Sequence, residues 1–239
     1  MDRKKVFEYY SSILDEKAQD YSVFKSFLTN PSCCYYDSDA DFGDLHVVCG
    51  ATRAALITDD YNYVVKIDID TDEGGDCISE RELAIWKMVA DSHLAQCFTE
   101  IEFLGYYVRH WNWYAFHTEE VMLDWNEDEF EKYVAEQGYE KEYVTISIPL
   151  YGCEKADTDT FHYPNSSLEV KEYVETHASP LCERCKDIAE AFIMDYGYEI
   201  YEELTDFCYE SGVNDIHKGN IGYIDNKIVL LDFGGYYCN

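Results

Sequence analysis

Three side chains that carry oxygen ligands, Asp215, Asn220 and Asp232, lie close together in this sequence of 239 residues. Mg²⁺ prefers hard oxygen ligands and is usually held by one or two carboxylates together with the phosphates of a substrate. An acid, an amide and a second acid are therefore the groups that a magnesium-nucleotide site for phosphoryl transfer requires. Asn220 and Asp232 are the candidate metal ligands, and Asp215 is left to orient a hydroxyl nucleophile and accept its proton.

A predicted β-hairpin brings two of these side chains together. Two short β-prone runs flank Asp225-Asn226, a dipeptide that tolerates the positive φ angles of a tight hairpin turn. Pairing about this turn sets Asn220 opposite Leu231, so that Asp232 lies one step from the Asn220 side chain, within roughly 5–8 Å. The sequence thus predicts that two oxygen ligands converge at one end of a hairpin.

The run from Asp215 to Asn220 and the Asp-Phe-Gly tripeptide at Asp232 resemble the catalytic loop and magnesium-binding motif of the protein-kinase-like superfamily. The form Asp-x-His-x-Gly-Asn is nearer to the aminoglycoside and choline kinase branch than to Ser/Thr kinases, which usually carry Lys two residues after the Asp. Here that position is His217, and Lys218 follows it. The resemblance implies that Asp215 is the catalytic base, that Asn220 and Asp232 bind Mg²⁺, and that the nucleotide is ATP.

A lysine and a carboxylate upstream fit the same resemblance. Lys66 lies in an apolar β-prone run, where an ammonium group is costly unless it finds anions, and it resembles the superfamily's phosphate-contacting lysine. The alternative is an edge-strand lysine that deters aggregation. The segment 79–90 has helical spacing, and Glu82, beside its apolar stripe, is the predicted partner of Lys66. Glu80 is the competitor, because positions two apart on a helix point about 200° away from each other.

Two further segments are expected to contact the nucleotide. Gly50 stands where the family has a phosphate-covering loop. Loops of this family carry several glycines, whose backbone N–H groups approach the phosphates, whereas Gly50 is the only glycine at this loop position here. Glu120 and Val121 stand where the hinge between lobes would bind an adenine ring through backbone groups. The segment 143–148 is the alternative hinge-proximal strand.

The resemblance implies an α+β, two-lobed protein-kinase-like fold with a truncated helical C-lobe. Residues 1–44 are predicted to form an N-terminal helical extension and residues 45–121 the N-lobe. Residues 122–239 are predicted to form a minimal C-lobe with an acidic insert, the catalytic loop and the hairpin. Only five residues follow Gly234. We therefore expect the subdomain that docks peptide substrates in protein kinases to be absent, which leaves the phosphoacceptor unidentified.

Composition narrows the expected partners. The chain has 18 basic and 49 acidic residues and a formal net charge of -31, which argues against direct binding to nucleic-acid phosphates. The charge favours a basic protein or a cationic small molecule as a partner, or it serves solubility alone. No run of eighteen apolar residues and no signal-peptide core occurs, so we expect a cytoplasmic protein without a membrane segment. The ten cysteines are interpreted as reduced thiols, and the pair Cys182 and Cys185 as structural residues of a helix.

The sequence therefore predicts an ATP- and Mg²⁺-dependent phosphotransferase that acts on a small-molecule or protein hydroxyl. The alternative is a catalytically weak or inactive pseudokinase that serves as an acidic protein-binding or inhibitory module. It is favoured by Val213-Asn214, which replaces the usual His-Arg or His-Gly before Asp215, and by the single glycine of the phosphate loop. A third hypothesis, an acidic decoy that mimics nucleic acid, is supported by the charge alone.

Overall fold

The computed structural model describes residues 39–41, 45–49, 53–58, 63–68, 78–110, 117–123, 144–154, 161–177 and 185–234, and positions 128, 132, 135 and 136. In these ranges the chain combines helices with antiparallel strands, which makes it an α+β protein. Two structural units are present, one formed by residues 1–80 and 101–154, the other by residues 81–100 and 155–239. None of the described helices is long and apolar enough to cross a membrane.

The first unit contains a seven-stranded sheet in which all neighbouring strands are antiparallel, in the order β1-β2-β3-β4-β7-β5-β6. Leu56 and Val65 pair across β3 and β4 and are both fully buried, which places the unit's apolar core at the centre of the sheet. The strands are β1 (Asp39–Asp41), β2 (Leu45–Cys49), β3 (Arg53–Thr58), β4 (Tyr63–Asp68), β5 (Ile101–His110), β6 (His117–Leu123) and β7 (Val144–Glu154).

The observed units differ from the predicted domain boundaries in two ways. Asp39–Asp41 forms an edge strand paired with β2, although residues 1–44 are predicted to be a helical extension; residues 1–38 lie outside the described part. The predicted boundary after residue 121 also fails to separate the units, because Val144–Glu154 pairs with both β4 and β5 inside the first unit. A strand that is distant in sequence can complete a sheet, and local pattern does not reveal this.

The second unit is built from helices and a two-stranded hairpin. Ser167 caps the first helix after residue 161, since its Oγ accepts a hydrogen bond from the Val170 N–H at 3.3 Å. The elements are α1 (Ile78–Val89), whose first three residues belong to the first unit, a 3₁₀ turn (His93–Cys97), α2 (Leu168–Thr176), α3 (Lys186–Tyr196), α4 (Tyr198–Ser211), a second 3₁₀ turn (Lys218–Asn220), β8 (Ile221–Ile224) and β9 (Lys227–Leu230). Cys185 precedes α3 as its N-cap residue, and Cys182 lies outside the described part.

Aromatic rings form the core of the second unit. Phe98 lies edge-on to Phe207 at 5.8 Å and to Phe233 at 5.0 Å between ring centroids. Phe192 and Tyr201 are also buried, with exposures of 0% and 2%. Edge-to-face pairs add about 0.5–1.5 kcal/mol to the stabilisation that burial gives. The Phe of the Asp-Phe-Gly tripeptide is thus a core residue, and its packing fixes the backbone next to Asp232.

Helix α3 holds the hairpin in place at its C-terminal end. The Asp195 carboxylate accepts a hydrogen bond from the Ile228 N–H at 2.8 Å. The Tyr196 hydroxyl lies 2.7 Å from the carbonyl oxygens of both Gln96 and Ile228, so it joins β9 to the 3₁₀ turn after α1. Burial raises the pKa of Tyr196, which keeps its hydroxyl proton available for these carbonyls.

Candidate functional site

The hairpin has the register that the sequence predicts. Asp225 and Asn226 have φ angles of 52° and 62°, which are the positive values of a type I′ turn. Pairing continues from this turn to the end of the hairpin, where the Leu231 N–H donates to the Asn220 carbonyl oxygen at 2.9 Å. Asn220 and Leu231 are therefore opposite each other, and Asp232 follows directly, as expected for two ligands at one end of a hairpin.

The side-chain amide of Asn220 is held in a single orientation. Its Nδ2 donates to the Asp215 carbonyl oxygen at 2.8 Å and lies 3.2 Å from Asp215 Oδ2. Both partners are acceptors, so the nitrogen end of the amide must face them. The amide oxygen Oδ1 therefore points away from Asp215 and is the atom that Asn220 can offer to a metal ion.

Asp215 is presented on a short loop that two apolar residues anchor. Val213 and Ile216 are 1% and 3% exposed, whereas the Asp215 side chain is 19% exposed. Asn220 Nδ2 bonds Asp215 Oδ2, and His217 Nε2 faces the same oxygen at 3.8 Å. The second carboxylate oxygen, Oδ1, is thereby left as the one that could accept a proton from a hydroxyl substrate.

A helix end fixes the start of this loop. Gly212 ends α4 in the left-handed conformation, at φ 70° and ψ 26°, and the Val213 N–H donates to the Cys208 carbonyl oxygen at 2.8 Å. The Arg81 guanidinium donates from Nη2 to the Gly212 carbonyl oxygen at 2.7 Å. Helix α4 therefore ends at Ser211, with Gly212 as its C-cap residue. Arg81 adds a positive charge where the helix dipole is negative.

Glu82 holds the backbone of the Asp-Phe-Gly tripeptide. Its side chain is 1% exposed, and its Oε1 accepts a hydrogen bond from the Phe233 N–H at 3.0 Å. Glu80 is exposed on the same helix, so the structure agrees with the choice of Glu82 as the inward-facing acid. A hydrogen bond to a carboxylate is among the stronger ones in proteins. Glu82 therefore fixes the position of the residue that follows Asp232.

Lys66 occupies the middle of the large sheet. It lies on β4, pairs with Ala55 on one side and Tyr151 on the other, and is buried. The edge-strand interpretation of this lysine is therefore wrong, because β4 has a neighbour on both sides. The predicted ion pair between Lys66 and Glu82 stays a prediction.

The topology bears on the two candidate adenine-binding strands. Glu120 and Val121 lie on β6, where they pair with Val108 and Tyr107 at the edge of the sheet. Strand β7 contains most of the alternative segment 143–148 and lies directly beside β4. With strands about 4.8 Å apart, β6 is roughly 14 Å from β4, whereas β7 is its neighbour. Which of the two segments would contact a nucleotide stays a prediction, and Gly50 lies outside the described residues.

The one lysine of the loop, Lys218, is held by neighbours of its own. Its ammonium donates to the Tyr163 hydroxyl, lies 4.0 Å from the centre of the Tyr163 ring and is 3.7 Å from an Asp187 carboxylate oxygen. The Tyr163 hydrogen bond raises the pKa of Lys218. These contacts tie the Asp215 loop to the segment that begins at Phe161 and to helix α3.

The donor set fits Mg²⁺ better than a transition metal. The part of the chain that the structure describes has no group of three or more His, Cys, Asp or Glu residues suited to a metal ion. Mg²⁺ is commonly held by one or two protein oxygens together with substrate phosphates and water, an arrangement that needs no such group. One amide oxygen from Asn220 and one carboxylate from Asp232 are of this kind.

Two contributors to the site escape sequence reasoning. The cap by Arg81 joins residues 131 positions apart, and no local pattern signals it. The contact of His217 with Asp215 depends on the turn between them. A signal for His217 does exist: a histidine two residues before a glycine can accept that glycine's N–H, as it does here.

Comparison of the chain with protein-family models, with curated proteins and with solved structures found no match. Functional inference therefore depends on the geometry of the chain's own residues.

Proposed function

We propose that this protein is a kinase-like phosphotransferase that uses ATP and Mg²⁺ to phosphorylate a hydroxyl group. One observation carries the proposal: the Asn220 amide is held by its nitrogen on Asp215, which leaves its oxygen for a metal ion, and Asp232 follows the residue that pairs with Asn220. In the proposed reaction Asp215 would be the base, and Asn220 and Asp232 would be the metal ligands.

Each residue has a distinct task in the proposed reaction. Asp215, with Oδ2 held by Asn220, presents Oδ1 to the acceptor hydroxyl, orients its oxygen and accepts its proton. As the new bond from this oxygen to the γ-phosphorus of ATP forms, the bond from phosphorus to the bridging oxygen breaks and ADP leaves. Asn220 Oδ1 and the Asp232 carboxylate would hold Mg²⁺. When bound, Mg²⁺ would neutralise the charge that develops on the phosphate oxygens.

The supporting residues keep this arrangement rigid. Glu82 anchors the backbone of Phe233, whose ring packs edge-on against Phe98. The order of elements along the chain also supports a kinase-like, two-lobed fold with a short helical C-lobe. A central strand bears Lys66, the next helix bears Glu82, and the Asp215 loop and the hairpin follow. We assign Lys66 to the nucleotide phosphates.

Thermal unfolding with and without Mg-ATP tests the metal site. A ligand that binds only the native state stabilises it by about 2.7 kcal/mol at a concentration 100 times its Kd. We expect millimolar Mg-ATP to raise the Tm of the wild type and of the control Asp206→Ala, an exposed acid on α4. The Asp232→Ala variant should show little or no rise. An equal rise in both variants would contradict the assignment of Asp232.

Turnover tests the role of Asp215. We expect Asp215→Ala to lose ATP hydrolysis and autophosphorylation while it keeps most of the Mg-ATP shift in Tm, because a base acts on the acceptor and not on the nucleotide. Lys66→Ala should weaken both the Tm shift and the turnover.

One structural observation favours the alternative, a pseudokinase that binds a partner through its acidic surface. Val213, which stands where the family usually carries a histidine, is 1% exposed and serves as an apolar anchor of the loop. Wild-type protein that binds Mg-ATP but transfers no phosphoryl group to water, amines, itself or a cell lysate would establish this alternative. A basic protein or a cationic small molecule would then be the expected partner.

A further inference from the structure

Both ring nitrogens of His217 face polar groups of its own loop. Its Nδ1 accepts a hydrogen bond from the Gly219 backbone N–H at 3.0 Å, and its Nε2 lies 3.8 Å from Asp215 Oδ2. The ring is half exposed, with 50% of its side-chain surface open to solvent. The contact to Gly219, and not burial, therefore sets the direction of the ring.

These contacts determine which nitrogen carries the proton. A backbone N–H is always a donor, so Nδ1 must be the unprotonated acceptor, and the neutral imidazole carries its hydrogen on Nε2. This N–H faces the Asp215 carboxylate. The distance of 3.8 Å is longer than a hydrogen bond. At this distance the N–H attracts the carboxylate electrostatically and without a hydrogen bond.

Gly219 provides the space as well as the donor. A Cβ at this position would lie 2.9 Å from His217 Cε1 and 3.1 Å from His217 Nδ1, which is too close for the ring to remain where it is. Only glycine allows the imidazole to sit against the backbone here. The sequence His-Lys-Gly thus orients one N–H group toward Asp215.

We infer that His217 is a positioning residue for Asp215 in the proposed phosphoryl transfer. Asn220 Nδ2 donates to Asp215 Oδ2 at 3.2 Å, and the Nε2–H of His217 attracts the same oxygen from 3.8 Å, so the two groups together favour one rotation of the carboxylate about its Cβ–Cγ bond. The other oxygen, Oδ1, is then presented to the acceptor hydroxyl in one direction. This inference rests on the proposed function, because it assigns a role within that reaction.

Two substitutions test the roles of the two ring nitrogens of His217 separately. In His217→Gln the side-chain amide reaches the place of Nε2 and retains a donor toward Asp215. In His217→Asn the amide reaches only the place of Nδ1 and retains an acceptor for the Gly219 N–H. His177→Asn, on an exposed histidine at the end of α2, is the matched control.

ATP turnover of these variants gives the decisive comparison. We expect His217→Asn to lower kcat about tenfold to a hundredfold with an unchanged KM for ATP, because a misplaced catalytic group costs rate rather than nucleotide affinity. His217→Gln should retain kcat within about threefold. Equal losses in the two variants, or no loss in His217→Asn, would overturn the inference.

A spectroscopic measurement keeps this inference distinct from the proposed function. If the wild type turns over no ATP, the proposed function fails first, and ¹⁵N NMR of the His217 ring in the intact protein still tests the geometry. We expect the tautomer with hydrogen on Nε2 in the wild type and loss of this preference in Gly219→Ala. A ring with hydrogen on Nδ1, or one indifferent to Gly219→Ala, would contradict the inference.

Discussion

The carboxylate of Glu82 shows how one buried acid can serve the architecture of a site. It accepts a hydrogen bond from the Phe233 N–H at 3.0 Å and is 1% exposed. The ring of Phe233 packs against the ring of Phe98. A buried charge is tolerated only when it is hydrogen-bonded or paired. A substitution that removes this carboxylate leaves the backbone N–H of Phe233 buried and without its hydrogen-bond acceptor.

We therefore expect Glu82→Ala to lower the free energy of unfolding by about 1–3 kcal/mol, the cost of a buried polar group that loses its partner. Glu80→Ala, two positions earlier and exposed, should change it by less than about 0.5 kcal/mol. Urea unfolding of both variants at neutral pH measures the difference. Equal effects of the two substitutions would show that the Phe233 contact contributes nothing to stability.

Two buried thiols make the stability sensitive to high pH. Burial raises the pKa of Cys97 from the ordinary value of 9.0 to about 12, and burial also raises the pKa of Cys208. In the unfolded chain these thiols ionise near pH 9, while in the folded protein they remain protonated. The folded state then binds more protons than the unfolded state, so stability falls as pH rises.

The expected outcome is full stability below about pH 9 and a progressive loss between about pH 9 and 12. Cys208→Ala should be less stable than the wild type at pH 7.5, because it leaves a cavity, but its stability should fall less steeply above pH 9. Urea unfolding at pH 7.5, 9 and 10 measures both effects. A wild type whose stability is flat across this range would contradict the assignment.

At the scale of elements, the end of α4 and the start of the Asp215 loop depend on one close contact. A Cβ on Gly212 would lie 2.7 Å from Arg81 Nη2, and Gly212 has a φ of 70°. Glycine is therefore needed twice, for the left-handed conformation and for the approach of the guanidinium. Helix α1 thereby sets the position at which the chain leaves α4.

Gly212→Ala should lower the free energy of unfolding by about 1–3 kcal/mol, from backbone strain and from displacement of Arg81. In the background Arg81→Ala the same substitution should cost less, because only the backbone strain remains. A double-mutant cycle in urea measures this coupling. Additive effects of the two substitutions would mean that the guanidinium moves aside without cost.

Local elements of this protein are well predicted from its sequence, whereas long-range pairing is not. The turn at Asp225-Asn226 follows from residue types that accept positive φ, so the opposition of Asn220 and Leu231 could be predicted. The C-terminal end of α4 follows from its glycine cap, and the inward face of Glu82 follows from helical periodicity. The place of β7 between β4 and β5 depends on pairing across about eighty residues, which no local pattern encodes.

At the scale of the whole molecule, the excess of acidic residues acts against compactness. A net charge of -31 on 239 residues gives self-repulsion that folding must overcome. Helix α4 shows the pattern locally, since its exposed face is acidic along its whole length. These exposed acids are Glu199, Glu202, Glu203, Asp206 and Glu210. Only His93 offsets Glu203 among the ion pairs described for this face.

We therefore expect the Tm to rise as NaCl increases from about 0.01 M to 0.15 M, since the screening length falls from about 30 Å to about 8 Å. The rise should shrink as the pH approaches the isoelectric point of about 4.3, because the net charge vanishes there. Glu199→Lys together with Asp206→Lys should raise the Tm at low salt, and less so at 0.15 M, because screening already relieves the repulsion that the lysines remove. A Tm that ignores salt, or a double variant that gains equally at both concentrations, would show that the acidic surface does not strain the fold. The charge would then be better explained by recognition of a basic partner.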